Sequence, residues 1–181
     1  MTRIAVVGLT GSGKTRLAGR LSQMLGLRHV ELDALHWGPN WAMTPVEELR
    51  PRVQAALAGD DWVVDGNYSK LRDLVWGSAD VLVWLDFSLR VVLMRLFRRT
   101  LRRITKRENM WNADCYESWR GQFFSRDSLF LWALKSHRKH RKRYPILLQQ
   151  PEFAHLKVFR LRSQRAVDRW LDSITQGEID V

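Results

Sequence analysis

The sequence predicts an α/β fold in which a parallel sheet is covered by helices on both faces. Short apolar runs rich in β-branched residues alternate with segments of helical period. The runs end at glycine or aspartate, the places where such a sheet binds ligands beyond its strand ends. The 181 residues contain no internal repeat and no low-complexity linker. Strand alternating with helix implies right-handed crossovers, and therefore parallel strands, of which five are expected.

The first run, Arg3 to Val7, is a buried strand stopped by Gly8. From Lys14 to Leu25 the apolar residues Leu17, Leu21, Met24 and Leu25 share one helical face, and Gly26 ends it. His29 to Asp33 is the second strand. Thr44-Pro45-Val46-Glu47 has capping-box spacing with proline at the first helical position, opening a helix toward Ala58 that Pro51 should kink or interrupt. Asp61–Asp65 and Val81–Asp86 are central strands joined by a short helix near Lys70 to Trp76. Phe87 to about Ile104 is helical, residues 106–117 are polar without a clear period, and Ser118 to Tyr144 is helical until Pro145. His155 to Leu161 is the fifth strand and Gln164 to Ile174 the last helix.

Composition narrows the class. An apolar fraction of 45% is too high for disorder, and the length suits one domain spanning 1–181. The single Cys115 cannot form an internal disulfide, no apolar run approaches a bilayer span, and the first residues enter a strand directly, so a cytoplasmic location is expected. A net charge of +11 points to a polyanionic partner without naming it.

Gly8-Leu9-Thr10-Gly11-Ser12-Gly13-Lys14-Thr15 is a complete G-x-x-x-x-G-K-[ST] phosphate loop between a strand and a helix. Glycines are needed because side chains there would keep the backbone N–H groups from wrapping a β-phosphate, to which the helix N-terminus adds a positive dipole end. Gly8, Thr10, Gly11, Ser12, Gly13, Lys14 and Thr15 are thus the candidate nucleotide-binding residues. Lys14 would reach the β- and γ-phosphates and Thr15 would ligate Mg²⁺. The plain alternative is a glycine-rich turn that only joins strand to helix.

Asp65 and Asp86 compete for a second magnesium contact through a metal-bound water. Asp65 is preferred because Gly66 lets the chain approach a ligand closely, while Asn67 and Tyr68 add polar groups at the same mouth. Asp33 is placed to orient an acceptor hydroxyl and take its proton, and His36 to bind the acceptor; a turn carboxylate beside a packed aromatic is the alternative. Trp37 and Trp41 flank Gly38-Pro39-Asn40 and are candidate walls of the acceptor pocket.

The base-reading N-K-x-D and the D-x-x-G of GTPase switches are absent, leaving ATP-using classes. The phosphate loop, the Leu32-Asp33 strand end, Asp65-Gly66, and Leu85-Asp86 with its arginine-rich helix resemble the adenylate-kinase-like small-molecule kinases over most of the chain. Leu32-Asp33-Ala34-Leu35-His36-Trp37 with Asp65-Gly66-Asn67-Tyr68 is similar to a bacterial group of adenylate-kinase-related, or topology-modulation, proteins. The resemblance implies the P-loop NTPase fold with strand order 2-3-1-4-5, a helical lid over about 98–126, and transfer of a phosphoryl group from Mg-ATP to a small acceptor. Two departures weigh against a nucleoside monophosphate acceptor. Asn67-Tyr68-Ser69 replaces the aromatic, proline and arginine that usually follow Asp-Gly, and the Thr-Gly-Asp segment after the second strand is missing.

Between Leu89 and Tyr144 the chain has sixteen basic and four acidic residues, net +12, while the remainder nets −1. Arg98, Arg99, Arg102 and Arg103 at the lid base, and Arg120 and Arg126 on the return helix, are candidates for closing over a transferring phosphoryl group. Of these, Arg98, Arg102, Arg103 and Arg126 are the candidate catalytic arginines, beside Lys14 and Asp33. The run 137–143 is too dense for one nucleotide and raises an alternative function, nucleotide-controlled binding of nucleic acid, with an acidic membrane as a further possible partner of this run. A P-loop ATPase without an acceptor is a third reading.

Overall fold

The computed structural model describes residues 1–106 and 128–178. Five parallel strands, β1 (Thr2–Gly8), β2 (Arg28–Glu31), β3 (Asp61–Asp65), β4 (Val81–Leu85) and β5 (Lys157–Leu161), form one sheet of order 2-3-1-4-5. Among the described residues seven α-helices connect or flank them: α1 (Lys14–Leu25), α2 (Leu32–His36), α3 (Val46–Ala56), α4 (Arg72–Ser78), α5 (Leu89–Lys106), α6 (Leu129–Leu147) and α7 (Gln164–Thr175).

Side chains on a strand alternate between faces, and the central strands β1, β3 and β4 are buried on both. Ile4, Val6, Val63, Val83 and Leu85 pack with Leu17 and Leu21 of α1, Val92 and Leu96 of α5, and Trp170 and Leu171 of α7. Ala5, Val7, Trp62, Val64, Leu82 and Trp84 pack on the opposite face with Leu49 and Val53 of α3, Val75 and Trp76 of α4, and Tyr144 and Leu147 of α6. This two-sided burial makes the strands read as continuous apolar runs.

Four local expectations are corrected. The second strand ends at Glu31, and Leu32 to His36 turn into a short helix, so Asp33 lies in a helical first turn instead of at a strand end. The capping box does not form, because the N-cap of α3 is Pro45, one residue later than expected, and the Thr44 hydroxyl donates instead to the carbonyl of Leu35 at 3.3 Å. Neither proline ends its helix: α3 continues through Pro51 and α6 through Pro145. Each is flanked by buried anchors, Leu49 and Val53 around Pro51, Tyr144 and Leu147 around Pro145, whose packing outweighs one missing backbone bond. The part of the lid and return helix that falls on 107–127, with Arg120 and Arg126, lies outside the described residues.

The basic run on α6 is divided by its helical phase. His137 is buried with Nε2 3.2 Å from the Phe87 carbonyl, and His140 stacks on Tyr144 with centroids 5.1 Å apart. Burial first, then the positive charges of Lys14, Lys139, Arg72 and Arg143, depress the His140 imidazole to about 4. Arg141 donates to Asp86, leaving Arg138, Lys139, Lys142 and Arg143 exposed. Asp86 is almost fully buried and accepts from Arg160 as well, at 2.7 and 2.9 Å. The guanidinium of Arg160 also lies 4.2 Å from the Trp84 ring centroid. The carboxylate of Asp86 therefore clasps α6 and β5 to the end of β4. No described helix is long and apolar enough to cross a membrane.

Removing a buried carboxylate strands its cationic partners. Asp86→Ala is expected to lower unfolding stability by about 3 kcal/mol. Arg141→Ala is expected to cost less, because Arg160 still holds the carboxylate. Urea denaturation of both variants checks the order.

Candidate functional site

The turn from β1 to α1 has the backbone that a phosphate cradle requires. Gly8 and Gly11 have φ of 154° and 78°, and a Cβ at Gly8 would lie 2.8 Å from both the Leu85 carbonyl and the Ser12 hydroxyl. A Cβ at Gly11 would strike the carbonyl of Val92 at 2.9 Å, so α5 rests directly on the loop. The N-cap of α1 is Gly13, which supplies no side-chain acceptor, and the first turn carries no acid. The first N–H groups of α1 are thereby left for an external anion. The Ser12 hydroxyl is buried and has no hydrogen-bond partner among the described residues.

Lys14 bends back to donate to the Leu9 carbonyl at 3.2 Å. Burial lowers its pKa, while Asp33 and Asp65 pull the other way. The Thr15 hydroxyl donates to Oδ2 of Asp65 at 2.7 Å, and Oδ1 of Asp65 lies 2.9 Å from Nε2 of His29. This hydrogen bond is the main cause of a raised His29 pKa. Asp65 thus faces Thr15, whereas Asp86 is held by Arg141 and Arg160.

A cavity of about 800 Å³ opens over the loop. Thr10 to Thr15 line one wall, Asp33, Trp37 and Trp41 line another, and Arg95, Arg98, Arg99, Arg102 and Arg103 come from α5. Arg95 donates to the Ser12 carbonyl and to Oε1 of Gln164, both at 2.9 Å, and its guanidinium lies 4.6 Å from the Phe87 ring centroid. Arg99 reaches the Thr10 hydroxyl at 3.4 Å. The Tyr68 hydroxyl donates to Oδ1 of Asp33 at 2.6 Å, and burial followed by the Asp33 charge raises the tyrosine pKa. The indoles of Trp37 and Trp41 meet edge to face at 5.5 Å.

The structure therefore brings the phosphate loop, Asp33, Trp37 and the α5 arginines around one space. It does not bring His36, Gly66, Asn67 or Tyr68 into that lining. The His36 ring sits 4.7 Å from Trp37 and 4.9 Å from Tyr68, behind the wall, and burial lowers its pKa. Gly66, Asn67 and Tyr68 line a separate narrow crevice with Leu32 and Arg72. Gly66 serves close packing instead of ligand approach, since a Cβ there would lie 2.7 Å from the Leu32 Cβ. Asn67 exchanges two hydrogen bonds with the backbone of Gly8.

Sequence reading missed His29, Gln164 and the special place of Arg95. A signal existed for Arg95, because residues 95, 99, 102 and 103 recur at helical spacing on one face of α5. His29 gave no such signal, since β2 reads Arg28-His29-Val30-Glu31 and only Val30 is apolar.

A parallel sheet of order 2-3-1-4-5 with a phosphate loop between β1 and α1 is the fold of the P-loop kinases. Shikimate kinase from Acinetobacter baumannii in complex with shikimate superposes with a TM-score of 0.56 at 16% identity, over 99% of this chain and 96% of its own. A gluconokinase from Sinorhizobium meliloti 1021 gives 0.51 at 16% identity over 98% of each chain. A sugar kinase from Janibacter sp. HTCC2649 gives 0.51 at 20% identity, over 97% of this chain and 95% of its own. No protein-family model and no curated protein matches the sequence. At these identities the likeness is one of fold, and the narrower likeness to the adenylate-kinase-related group rests on sequence motifs alone.

The contact between Gly66 and Leu32 holds α2, and with it Asp33, against the end of β3. Gly66→Ala is expected to destabilise the protein by about 2–3 kcal/mol through overpacking and the left-handed φ of 149°. Leu32→Ala keeps the Cβ that Gly66→Ala would strike and empties a buried site, so adding it should not restore stability, which thermal unfolding of the single and double variants checks.

Proposed function

We propose that the protein is an ATP-dependent phosphotransferase acting on a small hydroxyl-bearing acceptor. The observation that carries the reading is the single cavity in which the phosphate loop faces Asp33, Trp37 and Trp41 beneath a row of arginines. The P-loop kinase fold of its structural neighbours, which include sugar, gluconate and shikimate kinases by name, supports it.

The loop amides and the N-terminus of α1 would bind the β-phosphate, and Lys14 would swing from the Leu9 carbonyl onto the β- and γ-oxygens. Thr15 and Asp65 form a hard oxygen pair suited to Mg²⁺, which prefers one or two protein ligands completed by phosphate and water. When bound, that ion supplies neutralisation of phosphate charge. Asp33, with one oxygen fixed by Tyr68, would accept the proton of the acceptor hydroxyl. The acceptor oxygen then bonds to the γ-phosphorus as the bridging bond to the β-phosphate breaks, releasing ADP. Arg98, Arg99, Arg102 and Arg103 would stabilise the charge on the transferring group, while the two indoles exclude water from it. No observation favours the nucleic-acid alternative: within 137–143 His137 is buried and Arg141 is paired with Asp86, while Arg138, Lys139, Lys142 and Arg143 are exposed.

Calorimetric titration with ATP should give binding that Mg²⁺ strengthens and that Lys14→Ala weakens at least about tenfold. Wild-type protein that ignores ATP, or undiminished affinity in the variant, refutes the reading. With an acceptor found by screening small alcohols, sugars and hydroxy acids for ADP release, Asp33→Asn should cut turnover by about two orders of magnitude. Its ATP affinity should stay near that of wild type.

A further inference from the structure

Asn67 follows the end of β3 by two residues, yet its side chain is spent on the neighbouring strand. The β1–β3 ladder runs in register to the pair Val6 and Asp65, and its last backbone bond is Gly66 N–H to the Val6 carbonyl at 3.4 Å. One step further, the Asn67 amide takes over. Its Oδ1 accepts from the Gly8 N–H at 3.2 Å, and its Nδ2 donates to the Gly8 carbonyl. A carboxamide presents one acceptor and one donor in a plane, as a peptide group does, so it can pair with both polar groups of one residue. Rotating the amide by half a turn would set donor against donor and acceptor against acceptor, so the pairing fixes its orientation.

Gly8 is the first residue of the phosphate loop and has φ of 154°, and the space beside it is closed by the Leu85 carbonyl and the Ser12 hydroxyl. At the other end of the loop Thr15 is held by Asp65. On the far side of Asn67, Tyr68 holds Asp33. Asp65, Asn67 and Tyr68 thus attach one short segment to the end of the loop, its beginning, and the carboxylate across the cavity.

We propose that Asn67 is a positioning residue that extends the β1–β3 ladder by one side chain and sets the entry of the phosphate loop, so that it governs recognition of a β-phosphate without touching the ligand. This deepens the phosphotransferase reading and rests on its phosphate loop. It also separates Asn67 from acceptor binding, the role its sequence neighbourhood suggests.

Binding of ADP and of AMP to the full chain without Mg²⁺ provides the test. ADP has the β-phosphate that the loop wraps and AMP lacks it, so general damage weakens both and a mis-set loop weakens ADP alone. Wild type should prefer ADP. Asn67→Asp keeps the acceptor for the Gly8 N–H and turns the donor into an oxygen facing the Gly8 carbonyl; its ADP affinity should fall about tenfold with AMP affinity held within twofold. Asn67→Ala, which removes both bonds without adding a charge, should show the same selective loss, and Tyr68→Phe should show none. Circular dichroism and the thermal midpoint identify any variant that is not folded at the assay temperature. ADP affinity unchanged in the folded variants, or lost in parallel with AMP affinity, overturns the role of Asn67. A wild type that does not distinguish ADP from AMP overturns the phosphate-loop reading itself, and the role of Asn67 with it.

Discussion

A phosphate loop has almost no side chains with which to hold itself, and the rest of this structure is arranged around that constraint. Its N–H groups must point inward at an anion, so its shape has to be imposed from outside. Four neighbours do this. The Leu85 carbonyl closes on Gly8, the backbone of α5 rests on Gly11, Arg95 holds the Ser12 carbonyl, and Asn67 brackets Gly8. Each contact requires its element at one register on the sheet. The central position of β1, between β3 and β4, lets the ends of both neighbours reach the loop.

The same logic distributes the charge. The net of +12 between Leu89 and Tyr144 is divided among different partners. Arg95 is committed to the loop and to Gln164, Arg141 to Asp86, and Arg99 reaches Thr10. The aspartates divide in parallel. Asp86, with Arg141, Arg160 and Arg162 on it, has its charge satisfied by the protein, while Asp65 meets a hydroxyl and an imidazole. Two strand-end carboxylates that look alike in sequence acquire different roles because only one has arginines packed around it.

What sequence reading reached and what it missed follow one physical distinction. The strands, their parallel arrangement and the loop were legible because each depends on residues adjacent in the chain or on a short period. The divided basic run on α6 was half legible: its helical phase was available, but not which face meets the sheet. The roles of Gly66 and Asn67 were not legible, since their partners Leu32 and Gly8 are brought to them only by sheet register. Glycine beside a strand end reads equally well as room for a ligand or room for a leucine. The prolines misled for a related reason, because local propensity predicts a break and long-range burial on both sides of Pro51 and Pro145 prevents it.

The wall opposite the phosphate loop carries its own cost. Asn40 and Trp41 both adopt left-handed backbone, with φ of 54° and 63°, a conformation that costs roughly 1–2 kcal/mol for a residue bearing a Cβ. Hydrogen bonds from Gly38 N–H to the Ala42 carbonyl and from Thr44 N–H to the His36 carbonyl, both 2.8 Å, close the loop and hold the strain. A relaxed turn would join α2 to α3 at lower cost, but the strained one carries both Trp37 and Trp41 into the lining of the cavity. Asp33 precedes this loop on α2 and is fixed by Tyr68, so carboxylate and indoles form one preorganised wall whose position is set by the end of β3. That segment also sets the phosphate loop. On the proposed function, donor side and acceptor side would share a mechanical reference, as a phosphotransferase requires because its two reacting groups must meet in line within a fraction of an ångström.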